Sequence, residues 1–501
     1  MSIRPTTVPV RLADVLAAAP DASLTHGDVD LEVSGVTHDS REVVAGDLYA
    51  ALPGSTHHGA DFAYQAVSSG AIAILTDEAG ASRVDLEVPV IVASSPRAVL
   101  GEVSATVYGR PSEHLTVLGV TGTNGKTTTS YLLDAGFRGA GLLTGLLGTI
   151  ETRLGDQRLP SVRTTPEAPD LQASLAVMRE AGAQAVSMEV SSHALALRRI
   201  DGTRLRASIF TNLTQDHLDF HADLEDYFKA KARLFTEGLS DVAVINVDDE
   251  HGLRLLERSR LPVVTFSAAG SHLADWRLVG SRRDGMRSQL TIEGPTGERI
   301  VLSVSLLGAF NAANVLGALS ALSTVGLDLD KVVSGMESLS GVPGRLEVVD
   351  AGLPFLALVD YAHTPDAVET LLSALRPLAE ARLIVVLGCG GDRDAKKRPL
   401  MGRAAAQGAD VVVLTSDNPR SEDPLVILDE VSAGARAAAA EGQVIHLEPD
   451  RRAAIALAVS LAGPGDVLCV AGKGHETGQE IAGTILEFDD RVVLHEELLR
   501  R

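Results

Sequence analysis

Residues 118–133 read LGVTGTNGKTTTSYLL, and this segment limits the fold more than any other in the chain. A strand-like run enters Gly122-Thr123-Asn124-Gly125-Lys126-Thr127, and a helix-forming stretch leaves it. Glycines let backbone N–H groups close around phosphate oxygens, and the helix N-terminus adds a favourable dipole. Lys126 supplies a point charge for β- and γ-phosphates, and the Thr127 hydroxyl suits Mg²⁺. The spacing is shorter than the usual G-x₄-G-K-[ST], because position 120 is Val. With a strand before it and a helix after it, the loop points to nucleotide binding. A glycine turn that merely capped a helix would leave the run GKTTT, with Thr128 inside it, unexplained. No N-K-x-D guanine-reading segment occurs, which argues against a GTPase. Hydrolysis, phosphoryl transfer to an alcohol and activation of a carboxylate all stay open.

The surrounding chain supplies the sheet such a loop needs. Apolar runs at 183–190, 207–212 and 241–247 alternate with helical stretches, the rhythm of a parallel sheet covered on both faces. Residues 271–307 alternate polar and apolar instead, which predicts an antiparallel insertion. The βαβ rhythm resumes in FLALVDYAH, RLIVVLGCGG, DVVVLTSDNP, QVIHLEP and DVLCVAGKG. At 501 residues the chain exceeds one core, and breaks at Gly109-Arg110-Pro111 and Gly341-Val342-Pro343-Gly344 divide it into three. The expected domains are 1–110, 111–342 and 343–501.

A formal charge of −22 argues against nucleic acid or an anionic membrane surface as partner, so positive charge for an anionic ligand must be gathered locally. The two cysteines, Cys389 and Cys469, lie in or beside apolar runs and read as buried thiols of a reducing compartment. The first residues contain no long apolar segment, and no run reaches the roughly 20 apolar residues of a membrane span. The expectation is a soluble, cytoplasmic protein without membrane insertion.

Arginines number 37 and lysines only seven, so a retained lysine can mark chemistry that a guanidinium cannot perform. Lys229 and Lys331 look like surface positions; Lys126, Lys231, Lys396, Lys397 and Lys473 fall in or beside motifs. Strand ends at MEVSSH and TNLTQDHLDFH deliver Glu189, followed by Ser191, and His217, and Glu189 and His217 offer hard-oxygen and nitrogen ligands beside Thr127 at a switch point. A cap or surface role is the plainer alternative for each. In the next helix Leu224, Phe228, Lys231 and Phe235 recur at helical spacing, which puts Lys231 on the inward face. Burial lowers a lysine's pKa, and the neutral amine can take up CO₂ as a carbamate that would ligate Mg²⁺. A stem-buried lysine snorkelling to solvent fits the spacing equally well.

Residues 415–424, TSDNPRSEDP, follow a buried-strand run. Pro419 fixes φ and Asn and Asp favour turns, so Asp417, Asn418 and Arg420 sit on a rigid loop. This loop is either a surface turn or a reader of a small zwitterion.

Taken together, GTNGKT, MEVSSHAL, TNLTQDHLDFH, YFKAKARLF, LGAFNAANVLGA, GRLEVV and DYAHTPDAV resemble the Mur ligase family of ATP-dependent amide-forming enzymes. The resemblance runs in order from about residue 35 to the end. DSREVVAGDLYAALPG, GCGGDRDAKKRPLM, DNPRSEDP and GKGHE narrow it to the branch that adds the third stem-peptide residue in peptidoglycan precursor synthesis.

What the resemblance implies is a three-domain α/β chain: an N-terminal UDP-binding domain, a central P-loop ATPase with a doubly wound sheet, and a C-terminal Rossmann-like domain. Ser40 and the loop carrying Ser55, Thr56 and His57 would meet the UDP-sugar. Thr164, Thr165, Ser191 and Arg199 would hold the muramoyl-dipeptide. Asn311, Arg345, Asp360 and His363 would join Gly122–Thr128 around ATP. Lys126, Glu189, His217 and Lys231 would be catalytic, with Thr127, Glu189, His217 and carbamylated Lys231 serving Mg²⁺. The γ-phosphate would pass to a D-Glu carboxylate of UDP-MurNAc-L-Ala-D-Glu, and an amine would attack the acyl phosphate.

The third residue is most often L-lysine or meso-diaminopimelate, and only the latter ends in a carboxylate beside its distal ammonium. Reading that carboxylate calls for a bidentate cation, which Arg420 supplies. Arg393 can hold a second carboxylate, Asp417, Asn418 and Glu476 can take the amine, and Pro419 and Gly472 shape the site. The expected amine is therefore meso-diaminopimelate, and the expected enzyme a monomer. The rival readings are the L-lysine-adding ligase and an ATP-binding switch or scaffold without chemistry, which would hydrolyse ATP slowly without acceptor and amine.

Overall fold

The computed structural model describes residues 4–161 and 163–501. Strands rich in Val, Ile and Leu that are buried along their whole length, such as Leu383–Cys389 and Val411–Ser416, form the interiors of parallel sheets. Arg287–Glu293 and Arg299–Val304 alternate in burial and pair antiparallel, one face on the core and one in solvent. They realise the antiparallel segment expected within 271–307.

The central sheet has eleven strands among the described residues. Its parallel body runs Thr144–Leu147, Ala185–Glu189, Thr116–Thr121, Ala207–Phe210, Ala243–Asn246, Val263–Ser267. The chain leaves Thr116–Thr121 towards one edge and later returns to pair Ala207–Phe210 on its other side. The order therefore reverses at the strand that carries the glycine loop, and three strand C-termini open onto one crevice. Helix Lys126–Gly139 starts directly from that loop, and its Leu133 and Phe137 pack with Val315, Leu319 and Leu322 of helix Phe310–Ser323. Gly122 and Gly125 hold φ of 154° and 87°, and a Cβ on either would collide with Thr211 or Asn314. Only glycine fits both needs.

The N-terminal sheet orders Ala22–Leu24, Val90–Ala93, Ala73–Thr76, Asp47–Ala50 and Gly35–Thr37. Helix Pro96–Val107 joins it to the central unit, because Leu100 and Val103 share a cluster with Ala168, Ala173 and Ala176. The C-terminal sheet orders Glu347–Val348, Leu356–Asp360, Val467–Ala471, Leu383–Cys389, Val411–Ser416 and Val444–Leu447. All but the first pairing are parallel, and Val467–Ala471 is inserted between Leu356–Asp360 and Leu383–Cys389. Asp360, Cys389, Ser416 and Ala471 therefore end side by side. Cys389 and Cys469 are buried free thiols, and no helix among the described residues is long and apolar enough to cross a membrane.

Two helices flank the loops that leave these strand ends, Lys397–Gly408 and Pro424–Ala438, and they meet at Gly402 and Gly434. A Cβ on Gly434 would strike the Pro399 carbonyl, and one on Gly402 the Val431 carbonyl. Helix propensity alone would favour Gly434→Ala by up to about 1 kcal/mol, whereas forcing the helices apart costs about 1–3 kcal/mol. The clash wins, so Gly434→Ala should lower the melting temperature in scanning calorimetry; an unchanged or raised value would contradict this packing.

Candidate active site

The glycine loop closes on itself through its lysine. Lys126 Nζ donates to the Gly122 and Thr123 carbonyls, both at 2.9 Å, and burial lowers its pKa against the pull of Glu189 and Asp216. Thr127 Oγ1 donates to Glu189 Oε2 at 3.0 Å, and Thr149 donates to the same carboxylate through its N–H at 2.8 Å and its hydroxyl at 3.0 Å. Asn314 Nδ2 donates to Asn311 Oδ1 at 2.7 Å, behind the loop. Two C-terminal groups reach across. Arg345 Nη2 donates to Thr127 Oγ1 at 3.2 Å, and Asp366 accepts from Asn124 Nδ2 at 3.3 Å and from Thr214 Oγ1 at 3.1 Å. Asp360 accepts the N–H groups of Leu346 and Ala362, each at 2.8 Å, while burial pushes its carboxyl pKa up. His363 Nδ1 lies 3.0 Å from the Tyr361 carbonyl, which makes Nδ1 the protonated nitrogen; burial lowers its pKa.

These groups line a cavity of about 700 Å³ that includes Thr123 to Thr128, Glu189, Asn311, Arg345, Asp360 and His363. His217 and Lys231 lie in its wall as well. His217 sits in the left-handed region with φ of 56°, and burial lowers its pKa to about 4, so the imidazole is a neutral, ligand-competent base at neutral pH. Lys231 is 1% exposed. Its Nζ donates to the Gly122 carbonyl at 2.8 Å and lies 4.5 Å from the Tyr227 ring centre, with no carboxylate in ion-pair range among the described residues. Burial pushes its pKa far down, and the charge of Lys126 pushes in the same direction.

The side chain thus does not run out to solvent. Helical spacing placed three of its four residues correctly: Phe228 and Lys231 are buried in helix Leu224–Ala232, and Phe235 is buried in the turn that follows. Leu224 is the exception at 37% exposure, because it is the first residue of the helix and stands clear of the core.

Among the described residues no three His, Cys, Asp or Glu side chains converge as a ready-made metal site. The donors nonetheless suit a magnesium ion: a threonine hydroxyl, a carboxylate and a neutral amine that CO₂ would turn into a second anion.

Thr164, Thr165, Ser191 and Arg199 line the same cavity. Thr165 Oγ1 donates to the Glu189 carbonyl at 2.9 Å and accepts the Ser191 N–H at 3.1 Å. Arg199 pairs with Glu167 at 2.9 Å, a buried carboxylate also paired with Arg97 of the N-terminal unit and with Arg163. Ser40, Ser55, Thr56 and His57 line neither this cavity nor the next; Ser40 Oγ donates to Gln65 at 3.1 Å.

A second cavity, of about 450 Å³, is lined by Arg393, Asp417, Asn418, Arg420, Gly472 and Glu476, and Pro419 stands outside its lining. It shares His193, Asp216, His217, Tyr361, His363, Asp366 and Arg393 with the first, so the two are compartments of one crevice. Arg420 has φ of 54° and is pinned on both sides: its N–H donates to the Glu480 carbonyl at 3.0 Å, and its own carbonyl accepts from Ala482 at 2.7 Å. Sequence reasoning missed Thr149 and Asp366 as members of this crevice, and Lys473 as the buried group behind Asn418 and Glu476. Only Lys473 carried a signal, as a rare lysine inside GKGHE.

Comparison with known proteins agrees along the whole chain. Residues 32–108 match the model of the Mur ligase family catalytic domain, 120–322 the Mur ligase middle domain and 344–474 the Mur ligase glutamate ligase domain. A Streptomyces coelicolor protein named UDP-N-acetylmuramoyl-L-alanyl-D-glutamate–2,6-diaminopimelate ligase is 54% identical over 97% of this chain and 95% of its own length. A protein of the same name from Streptomyces avermitilis is 54% identical over 94% of this chain and 93% of its own length. A solved structure of a ligase with that name is 32% identical, with a TM-score of 0.70 over 98% of this chain and 99% of that one.

A buried neutral amine should capture CO₂. Protein equilibrated with ¹³C-bicarbonate should therefore show a carbamate carbon signal that Lys231→Arg lacks. Equal signals in both proteins, or none in either, would contradict a neutral Lys231.

Proposed function

Because the chain belongs to the Mur ligase family, we propose that it uses ATP to join meso-2,6-diaminopimelate to UDP-N-acetylmuramoyl-L-alanyl-D-glutamate. The observation that carries this reading is the shared wall of the two cavities: a phosphate loop opens directly into a compartment edged by Arg420, Arg393, Asp417 and Glu476. Domain boundaries near 110/111 and 342/343 are supported by the three matched segments. The two free buried thiols support a cytoplasmic setting.

In this reading Lys126 and the loop N–H groups hold the β- and γ-phosphates, with Asn311, Arg345, Asp360 and His363 around the rest of the nucleotide. Thr164, Thr165, Ser191 and Arg199 orient the D-glutamyl carboxylate towards the γ-phosphorus, while Ser40 and the 55–57 loop take the UDP end. Phosphoryl transfer gives an acyl phosphate. The free amine of diaminopimelate then attacks the acyl carbon, and the tetrahedral intermediate expels phosphate. A magnesium ion held by Thr127, Glu189, His217 and carbamylated Lys231 would offset charge on the transferring phosphoryl group. Preorganised charge supplies the rate, and closure of the C-terminal domain supplies orientation and excludes water.

Lys126→Ala should lose on the order of 10²-fold or more in kcat while keeping the fold, because no other loop side chain replaces that charge. A folded variant with full activity would remove the phosphate-loop assignment. Purified protein offered UDP-muramoyl acceptors and a panel of amines should select meso-diaminopimelate over L-lysine, and Arg420→Ala should raise the KM for diaminopimelate far more than that for ATP. Equal use of L-lysine by the parent protein would overturn the choice of amine.

A further inference from the structure

Lys473 follows the strand Val467–Ala471 by two residues, and its fully buried side chain lies against Asn418 and Glu476 of the second cavity's lining. We propose that Lys473 is a positioning residue for substrate choice: it fixes which end of the Asn418 amide faces the incoming amine substrate. The inference rests on the assignment of this compartment to diaminopimelate.

An ammonium has three N–H donors and no acceptor. Here three oxygens surround it: Asn418 Oδ1 at 3.0 Å, Glu476 Oε2 at 3.2 Å and Asp417 Oδ1 at 3.7 Å. A buried ammonium thus sits among the very side chains that edge the site. Asn418 Oδ1 also accepts the Glu480 N–H at 3.0 Å, which occupies both of its lone pairs with donors. Two donors on one side of an amide leave no choice about where its oxygen lies. Asn418 Nδ2 is consequently turned the other way, donating to Glu476 Oε2 at 2.9 Å. Its second N–H has no partner among the described residues, and Asn418 lines the cavity.

Asn418 therefore offers the ligand a donor. This differs from the sequence-based expectation that Asn418 would accept from the amine. A donor matches a carboxylate oxygen, as the Arg420 guanidinium does on the same wall. It gives nothing to the distal ammonium of L-lysine, which has only donors. Asp417 and Glu476 remain as acceptors, with one of their two negative charges balanced inside the protein by Lys473.

Removing the Lys473 donor frees the Asn418 oxygen to turn towards the cavity, where it would accept an ammonium. Lys473→Met should raise the KM for meso-diaminopimelate at least about tenfold with the KM for ATP little changed, and lower the kcat/KM preference over L-lysine by a similar factor. Lys473→Gln, whose amide still donates, should keep most of the preference. Asn418→Asp, with Lys473 intact, exchanges the forward donor for an acceptor and should lose the preference as Lys473→Met does. This variant decides the matter if circular dichroism shows Lys473→Met to be unfolded. A folded Lys473→Met or an Asn418→Asp protein with parental preference would overturn the proposal. If instead the parent protein fails to ligate meso-diaminopimelate, or Arg420→Ala leaves its KM unchanged, the assignment of the cavity is what fails.

Discussion

Two lysine ammonium groups converge on a single backbone oxygen. Lys126 and Lys231 both donate to the Gly122 carbonyl, at 2.9 and 2.8 Å. Two unit charges that close in a low-dielectric interior repel by several kcal/mol, which favours the loss of one proton from the pair. Asp216 acts on both, but Lys126 also has Glu189 nearby, whereas Lys231 faces the Tyr227 ring and is pushed far down in pKa by burial and by Lys126. The glycine loop thereby does two things. It offers backbone N–H groups of the kind that hold phosphate, and it brings a buried lysine amine to its own Gly122 carbonyl.

The crevice depends on polar contacts between units, of which the N-terminal and central ones also share an apolar cluster at Leu100, Val103, Ala168, Ala173 and Ala176. Arg345 and Asp366 from the C-terminal part touch Thr127, Asn124 and Thr214 of the loop region. Glu167 gathers Arg97 from the N-terminal unit together with Arg163 and Arg199. Each contact is polar and few in number, unlike the apolar packing within each sheet. Such contacts can break and reform as ligands enter, which suits a reaction needing an open site for loading and a closed one for amide formation.

Sequence alone made the local chemistry legible where residue type and spacing are tied to backbone geometry. The strand–loop–helix at 118–133, the parallel rhythm and the antiparallel segment in 271–307 all depend on neighbours in the chain, and they fold as read. Lys231 was legible too, since helical periodicity and the rarity of lysine pointed the same way. Thr149 and Asp366 were not. Each reaches its partner across a sheet crossover or between units: Thr149 meets Glu189 forty residues on, and Asp366 meets Asn124 across 242. No local pattern encodes such meetings. Asn418 shows a subtler limit, because its identity was plain while the direction of its amide was set by Lys473 and the Glu480 N–H.

The second cavity also shows why buried charge persists where it adds little to stability. Arg451 and Asp490 form an ion pair with both side chains fully buried, an arrangement that apolar residues of similar volume often match in stability. Arg451 does more than pair. Its guanidinium donates to the Ser416 carbonyl at 3.1 Å and to the Ala471 carbonyl at 3.0 Å. These carbonyls belong to the last residues of two strands, and the next residues are Asp417 and Gly472. An apolar pair could fill the volume but would leave both carbonyls unsatisfied and the strand ends free to splay. Lys473, buried two residues beyond Ala471, works on the side chains that those ends present. Arg451 thus sets the spacing of the backbone and Lys473 the orientation of the amide, so the rigidity of the 415–424 loop owes more to these two buried cations than to its proline.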